Sequence, residues 1–276
     1  MDKKVFDELM KRGIVTVVGL NPEDYKDIAD LQIKQLATSI GAAKIYDDLT
    51  IDEEELEEIK AAFINAIDAG GDVTLEADLT IDSTIKVTKD VTINLNGHTL
   101  TSNIWDEDGE NNSYVFQVTG GKLTLEGEGT IEASEAIYSM AVWANGGDVV
   151  INGGTYKNHG DSCDLVYASK KGNIVINGGE FVACGPATGT APGTKNPYSA
   201  LNVKDADYKS KKCSISVKGG KFYMFDPANN LSEGPNTNFV VEGYESVQNG
   251  DWFVVSTKPA EETPKVEKTQ IIEIGE

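Results

Sequence analysis

Two histidines and a few clustered acids are the residues whose types and spacing could do chemistry. His159 lies in the stretch Lys157 to Asp164 (KNHGDSCD), near Asp161 and Asp164 in sequence. An imidazole next to a carboxylate can move a proton near neutral pH, so an acid–histidine pair there is a candidate for general acid–base work. The competing reading, a solvated loop between repeats, is preferred. His98 reads as an exposed turn residue. Asp106-Glu107-Asp108-Gly109-Glu110 resembles part of a calcium loop but lacks the alternating ligands and terminal glutamate of an EF-hand, so it reads as a solvated insertion. Asp205 and Asp207 would share a face on a strand, but a turn is the preferred reading. Cys163, Cys184 and Cys213 have no metal-like spacing and read as free thiols, with a disulfide between two of them as the lesser alternative. No residue is therefore assigned as catalytic, metal-binding or cofactor-binding, and no cofactor is expected.

The charge balance narrows the partners. The chain carries 24 basic and 45 acidic residues, a net charge of −21, and Arg12 is its one arginine. Such a surface repels phosphate backbones and anionic membranes, which argues against nucleic acid or lipid as a partner. The N-terminal stretch MDKKVFDELMKRGIVTVVGL does not have the layout of a signal peptide. Its longest apolar run, Ile14 to Leu20, is interrupted by Thr16 and Gly19 and is too short to span a bilayer. Synthesis in the cytoplasm is expected.

The elements that would position these side chains come from an internal repeat. The pattern apolar-x-apolar-x-Gly occurs as Ile93 to Gly97, Leu123 to Gly127, Val149 to Gly153, Ile174 to Gly178 and Ile215 to Gly219. Phe239 to Gly243 is a looser copy, and Val73 to Ala77 a degenerate first one. The glycines follow one another at 30, 26, 25, 41 and 24 residues, a period of about 25 with one insertion. The insertion is accounted for by Gly185 to Tyr198 and by the polar stretch Asp205 to Lys212. A second strand precedes each anchor (Val115 to Val118, Val142 to Ala144, Val166 to Ala168, Leu201 to Val203). A third apolar position follows it (Leu100, Ile131, Tyr156, Phe181, Phe222). Three short strands per repeat with alternating side chains describe one coil of a parallel β-helix over residues 70–256, a mainly β solenoid. Inward Val, Ile and Leu residues would stack on their equivalents. Glycine would sit where the chain turns, and the asparagines before it (Asn96, Asn152, Asn177) would bond local backbone.

The ends differ in kind. Residues 51–69 read as a capping helix with Asp52 as N-cap, Glu55 closing a capping box, an apolar stripe of Leu56, Ile59, Phe63 and Ile67, and Gly70-Gly71 as the stop. Residues 1–50 read as a helical anchor or oligomerisation segment. In it Val5, Phe6 and Leu9 lie in a short first helix, and Tyr25, Ile28, Leu31, Leu36 and Ile40 form the stripe of a longer one that begins at Asn21-Pro22. That stripe fits either packing on its own domain or docking and self-association. Trp252-Phe253-Val254-Val255 is expected to help cover the other end, and residues 257–276 read as a flexible tail.

The stretches Gly71 to Leu75 and Asp90 to Leu100 (DVTINLNGHTL), with the copies INGGTY and INGGEF, resemble the first coils of pectin-lyase-like right-handed β-helices. The layout of a short helical N-terminus before a small acidic β-helix resembles the head fiber, or capsid decoration, proteins of tailed bacteriophages. That resemblance implies a virion structural protein on the capsid surface. It would be anchored by its N-terminus to the major capsid protein or another capsid component, often as a homotrimer, with the distal part available to a host surface glycan. Two other readings compete: a phage glycan depolymerase using acids near Asp161, Asp164, Asp205 and Asp207, and a bacterial surface or carbohydrate-binding protein. The loops Ser102 to Ser113, Gly185 to Tyr198 and Tyr223 to Asn238 are the expected contact surfaces.

Overall fold

The computed structural model of the chain describes residues 53–104, 112–134, 138–158, 164–183 and 199–259. The expected anchor helices with Val5, Phe6, Leu9, Tyr25, Ile28, Leu31, Leu36 and Ile40 lie outside these residues. So do Asp52, the acidic run 106–110, His159, Asp161, Cys163, Cys184 and the tail beyond residue 259. The chain divides into two units between Ala62 and Phe63, and every described strand belongs to the second.

Helix α1 (Glu53–Ala69) carries three glutamates in its first turn, where the helix dipole favours negative charge. Of the expected stripe, Phe63 and Ile67 are buried, and Leu56 and Ile59 are half-buried. Gly70 ends the helix at φ +83°, and its N–H is shared between the carbonyls of Ala66 and Ile67. A residue with a Cβ would be strained there, so the glycine stop read from the sequence is the one used.

Strands then come in threes. The first repeat is β1 (Gly71–Thr74), β2 (Leu79–Ile81) and β3 (Ile85–Val87), and the second is β4 (Val91–Asn94), β5 (Thr99–Ser102) and β6 (Asn112–Val118). The third is β7 (Lys122–Glu126), β8 (Thr130–Glu132) and β9 (Tyr138–Asn145), and the fourth is β10 (Asp148–Ile151), β11 (Thr155–Lys157) and β12 (Asp164–Ser169). The fifth is β13 (Asn173–Ile176), β14 (Glu180–Val182) and β15 (Ser199–Val203). A short helix, α2 (Asp205–Lys209), leads to β16 (Ser214–Val217) and β17 (Gly220–Tyr223). Each strand from β1 to β14 pairs in parallel with the strand three positions on, giving the parallel runs β1-β4-β7-β10-β13-β16, β2-β5-β8-β11-β14-β17 and β3-β6-β9-β12-β15. The fold is thus mainly β with parallel sheets, in an order consistent with a solenoid.

Register brings equivalent side chains together. In the first sheet Val73, Ile93, Leu125, Ile151, Ile176 and Val217 form one buried column; Val91, Leu123, Val149, Ile174 and Ile215 form another. In the third sheet Ile85, Phe116, Val142, Val166 and Leu201 do the same. In the second sheet the column runs Leu79, Leu100, Ile131, Tyr156, Phe181, Phe222. Its last three rings stack flat, with centroids 5.0 and 4.7 Å apart and planes 9° apart in both pairs. Each buried side chain stabilises by ~1.5–3 kcal/mol. A single repeat buries too few to fold alone, so the stack is cooperative. A polar seam that the sequence did not suggest interrupts this core. Ser102, Ser113, Ser134, Ser139 and Asn158 are buried; Ser134 bonds Ser113 at 2.8 Å, and Asn158 donates to the Ser139 carbonyl at 3.1 Å.

The turn residues divide the labour expected of glycine. Gly97 and Gly127 adopt positive φ (+81° each). Gly153, Gly178 and Gly219 do not; they are required because the preceding repeat passes too close. A Cβ on Gly178 would stand 2.7 Å from the Asn152 carbonyl oxygen. The asparagines also act between repeats rather than locally. Asn96 donates to the Leu75 carbonyl at 3.2 Å, and Asn177 to the Asn152 side chain at 2.8 Å.

At the far end, the looser copy at Phe239 adds one parallel bridge, Val217 to Val240, to the first sheet. The cover expected from Trp252 to Val255 is a hairpin, β18 (Tyr244–Asn249) and β19 (Trp252–Thr257), which joins the second sheet antiparallel to β17. Asp205 to Lys209, expected in a polar loop or turn, is helical instead: Asp207 accepts the Lys170 N–H at 2.9 Å, which ties this turn to the preceding repeat.

Candidate functional site

Connection lengths single out one side of the repeat. From the first sheet to the second, the chain takes three or four residues in most repeats. From the second to the third it takes residues 82–84 in the first repeat, then 103–111, 133–137, 158–163 and 183–198. In repetitive folds, insertions gathered on one face often mark the binding face. The strands entered from these connections are those of the third sheet, so its outer surface is the place to look.

Register lines up Lys86, Gln117, Trp143, Tyr167 and Asn202 on that surface, each between inward neighbours. Near the start of β6, Tyr114 also faces outward: Val115 and Phe116 are both buried, and the pairing of β6 with β9 skips Val115. Two successive inward residues mean that the strand bends between them. Tyr114, Trp143 and Tyr167 are half-buried. The Tyr114 and Trp143 rings lie 4.6 Å apart at 55°, and Trp143 and Tyr167 lie 6.4 Å apart at 48°. The indole is fixed: Nε1 donates to Ser169 Oγ at 2.8 Å, and Ser169 Oγ donates on to Asn145 Oδ1 at 3.4 Å.

A polar group adjoins the rings. Asn202 Nδ2 donates to Asp164 Oδ2 at 2.9 Å. The Val203 N–H donates to Asn202 Oδ1 and to Glu233 Oε1, both at 2.8 Å. Glu233 comes from the segment after β17, which is closed on itself by Asn230 and Thr237 and held to β15 by Ser232 Oγ donating to the Leu201 carbonyl at 2.8 Å. That segment covers one donor, the Val203 N–H, and one acceptor, the Leu201 carbonyl, of the edge of β15. It lies within Tyr223 to Asn238, one of the expected contact loops.

The electrostatics are those of crowded, half-desolvated acids. Burial raises Asp164 to about 6, partly offset by its bond from Asn202. Burial raises Glu233 to about 7, and the charges of Asp205 and Asp164 add to the effect. Tyr114 is raised to about 12 by burial. Tyr167 is raised by burial and then by Asp164, Glu233, Asp205 and Asp207. The face therefore offers aromatic surface, carboxyl groups and one oriented amide.

Of the residues singled out from sequence, Asp164, Asp205 and Asp207 act together on Tyr167. His98 is a correction. Far from being exposed, its side chain is 14% accessible, with Nδ1 3.2 Å from Asp78 Oδ1, an oxygen that also accepts the Thr99 N–H. Imidazole and carboxylate brace one turn between repeats. Cys213 is buried and free; it accepts the Lys171 N–H at 3.1 Å, and burial pushes its thiol up, away from the reactive thiolate. The sequence reading missed Trp143, Tyr167, Asn202 and Glu233.

A concavity of about 560 Å³ follows the turn from the first sheet to the second, floored by Gly129, Gly154, Gly179 and Gly220. The carbonyls of Gly129, Gly154 and Gly179 already accept N–H groups of the next repeat, and Lys221 at its rim pairs with Glu180 at 2.6 Å. It offers little free chemistry. Among the described residues no group of three or more His, Cys, Asp or Glu could hold a metal ion, and no helix is long and apolar enough to cross a membrane. No family model, curated protein or solved structure matches the chain.

Proposed function

We propose that residues 70–256 form a right-handed parallel β-helix and that the chain is a virion structural protein. In this reading it is a head fiber or capsid decoration protein, held to the capsid through residues 1–50 and displaying the β-helix outward for adhesion. The observation that carries the reading is the strand order: every strand from β1 to β14 is bonded to the one three places on, as successive turns of a stack would be. With six rungs spaced by about 4.8 Å, the stack is roughly 25–30 Å long. Parallel crossovers are right-handed in almost all proteins, which supports the hand. The helical apolar pattern read in the sequence of residues 1–50 and the strong negative charge support a surface component whose partner is the major capsid protein or another capsid component. The resemblance favours a homotrimer on the particle.

Deletion of residues 1–50 tests the reading. The truncated chain is expected to keep its cooperative melting transition and the strand signal of its dichroism, and to lose co-sedimentation with particles. Truncated protein that still co-sediments would sink it.

One observation favours a second reading, cleavage of a glycan. Asp164 and Glu233 bring two carboxyl groups to the same face, and a raised acid beside a second carboxylate is the arrangement used in glycoside hydrolysis. Mass spectrometry of a host polysaccharide incubated with the purified chain decides it; an unchanged polymer removes this reading.

A further inference from the structure

We infer that the outer aromatic face of the third sheet is a binding site for a neutral oligosaccharide, whose chain lies along the stack of repeats across Tyr114, Trp143 and Tyr167 and ends at Asp164, Asn202 and Glu233. The inference rests on the attachment reading above and names what the displayed surface attaches to.

The argument begins with the contrast between two sets of rings in one molecule. Inside, Tyr156, Phe181 and Phe222 lie 9° from parallel and are fully buried, so their faces are spent on one another. Outside, Tyr114, Trp143 and Tyr167 are tilted by 55° and 48°, and each keeps part of its surface in water. Core packing does not need them: the inward neighbours Val142, Ala144, Val166 and Ala168 already complete the buried columns. A half-buried aromatic line with an occupied indole N–H offers apolar face rather than indole hydrogen bonds. The C–H face of a sugar ring matches that surface. The rings come from three successive repeats, so they trace a line along the stack and suit an extended chain better than a single small molecule.

Hydroxyl groups need partners in addition to faces. Asp164 uses Oδ2 for Asn202, and Glu233 uses Oε1 for the Val203 N–H; among the described residues the second oxygen of each carboxyl has no partner. These oxygens are held by a fixed amide and a fixed strand edge, which is the preorganisation that saccharide recognition requires. Charge then selects among sugars. Asp205 and Asp207 add to the negative field at Tyr167, so uronic acids and sulfated or sialylated chains are repelled. Neutral sugars suffer no such penalty.

Isothermal titration of the full chain with cellohexaose, maltohexaose, N-acetylchitohexaose and hexagalacturonate tests the inference. At least one of the three neutral hexasaccharides is expected to bind, and hexagalacturonate is not. Trp143→Ala and Tyr167→Ala should each weaken binding at least tenfold while the chain still melts cooperatively well above the assay temperature, whereas Trp143→Phe should recover most of it. Absence of binding by all three neutral chains overturns the inference. So does binding unaffected by Trp143→Ala and Tyr167→Ala together, or binding restricted to hexagalacturonate. Butyltrimethylammonium is the cationic probe. If it binds and the neutral sugars do not, the face is a cation site and the inference fails. Sugar binding without particle attachment would sink the attachment reading alone, and attachment without sugar binding would sink this inference alone.

Discussion

Asn177 donates its side-chain amide to the side-chain oxygen of Asn152, 2.8 Å away in the preceding repeat. The two residues occupy the same turn of successive repeats, so the bond is a rung between turns. Asn177→Leu removes the donor and leaves the Asn152 oxygen to water. Because the pair is exposed, the loss should be small, about 0.5–1.5 kcal/mol, read by chemical denaturation. A loss above about 3 kcal/mol would mean that the amide also holds the local turn.

Phe181 lies flat between Tyr156 and Phe222. Phe181→Ala opens a cavity in the middle of a column whose neighbours are fixed by register. The expected cost is about 3–5 kcal/mol, with loss of near-ultraviolet dichroism. A cost under about 1 kcal/mol would show that the column relaxes freely.

Gly178 and Gly97 should respond differently to alanine. At Gly97 a Cβ meets nothing within 4 Å and the difficulty is the φ of +81°, so Gly97→Ala should cost about 1–2 kcal/mol and Gly97→Asn less. At Gly178 the new Cβ would press on the Asn152 carbonyl at 2.7 Å, and two repeats would have to separate. Gly178→Ala should therefore lower the melting temperature more than Gly97→Ala. The reverse order would contradict the close approach.

Phe63 is buried on α1. Phe63→Asp places an unpaired carboxylate in that position and should sharply lower the melting temperature. An unchanged value would mean that this face of the helix does not stabilise the fold.

Asp164, raised to about 6, and Glu233, raised to about 7, hold protons in the folded chain that the unfolded chain releases near pH 4. A raised acid costs stability once it ionises. The penalty is absent below about pH 4, grows as pH rises through the interval to about 7, and is complete above it. Acidification from pH 8 to pH 5 should therefore raise the melting temperature. Part of that rise comes from relief of the chain's general negative charge. The doubly substituted Asp164→Asn, Glu233→Gln chain should keep only that part and show a visibly shallower dependence. Identical profiles would remove these two carboxyls as the cause.

The buried columns were legible in the sequence because alternation and a recurring glycine encode them directly: Val149, Ile151, Ile174 and Ile176 have the spacing that the register then confirms. The outer face was not. Trp143 and Tyr167 sit at strand positions that look like any others until the inward neighbours are known. An aromatic between Val142 and Ala144, and another between Val166 and Ala168, was the signal available. Glu233 reaches the face from a segment far along the chain, and only the folded edge of β15 brings it there. The short helix at Asp205 was read as a loop or turn, and the bond from the Lys170 N–H to Asp207, which ties it to the preceding repeat, has no local signature in the sequence. The asparagines were read as bonding local backbone because sequence alone does not show which acceptor the neighbouring repeat will bring close.

The β18–β19 hairpin has a consequence for assembly. A stack whose strands all run one way presents its last strand as a template on which another copy could lay its first, and repetition of that step makes a fibre. Here the chain reverses direction and occupies the template with its own strand. The outermost strand then carries Glu245, Gln248 and Asn249, with Val247 as its single exposed large apolar residue. Along this sheet the molecule is discouraged from polymerising end to end.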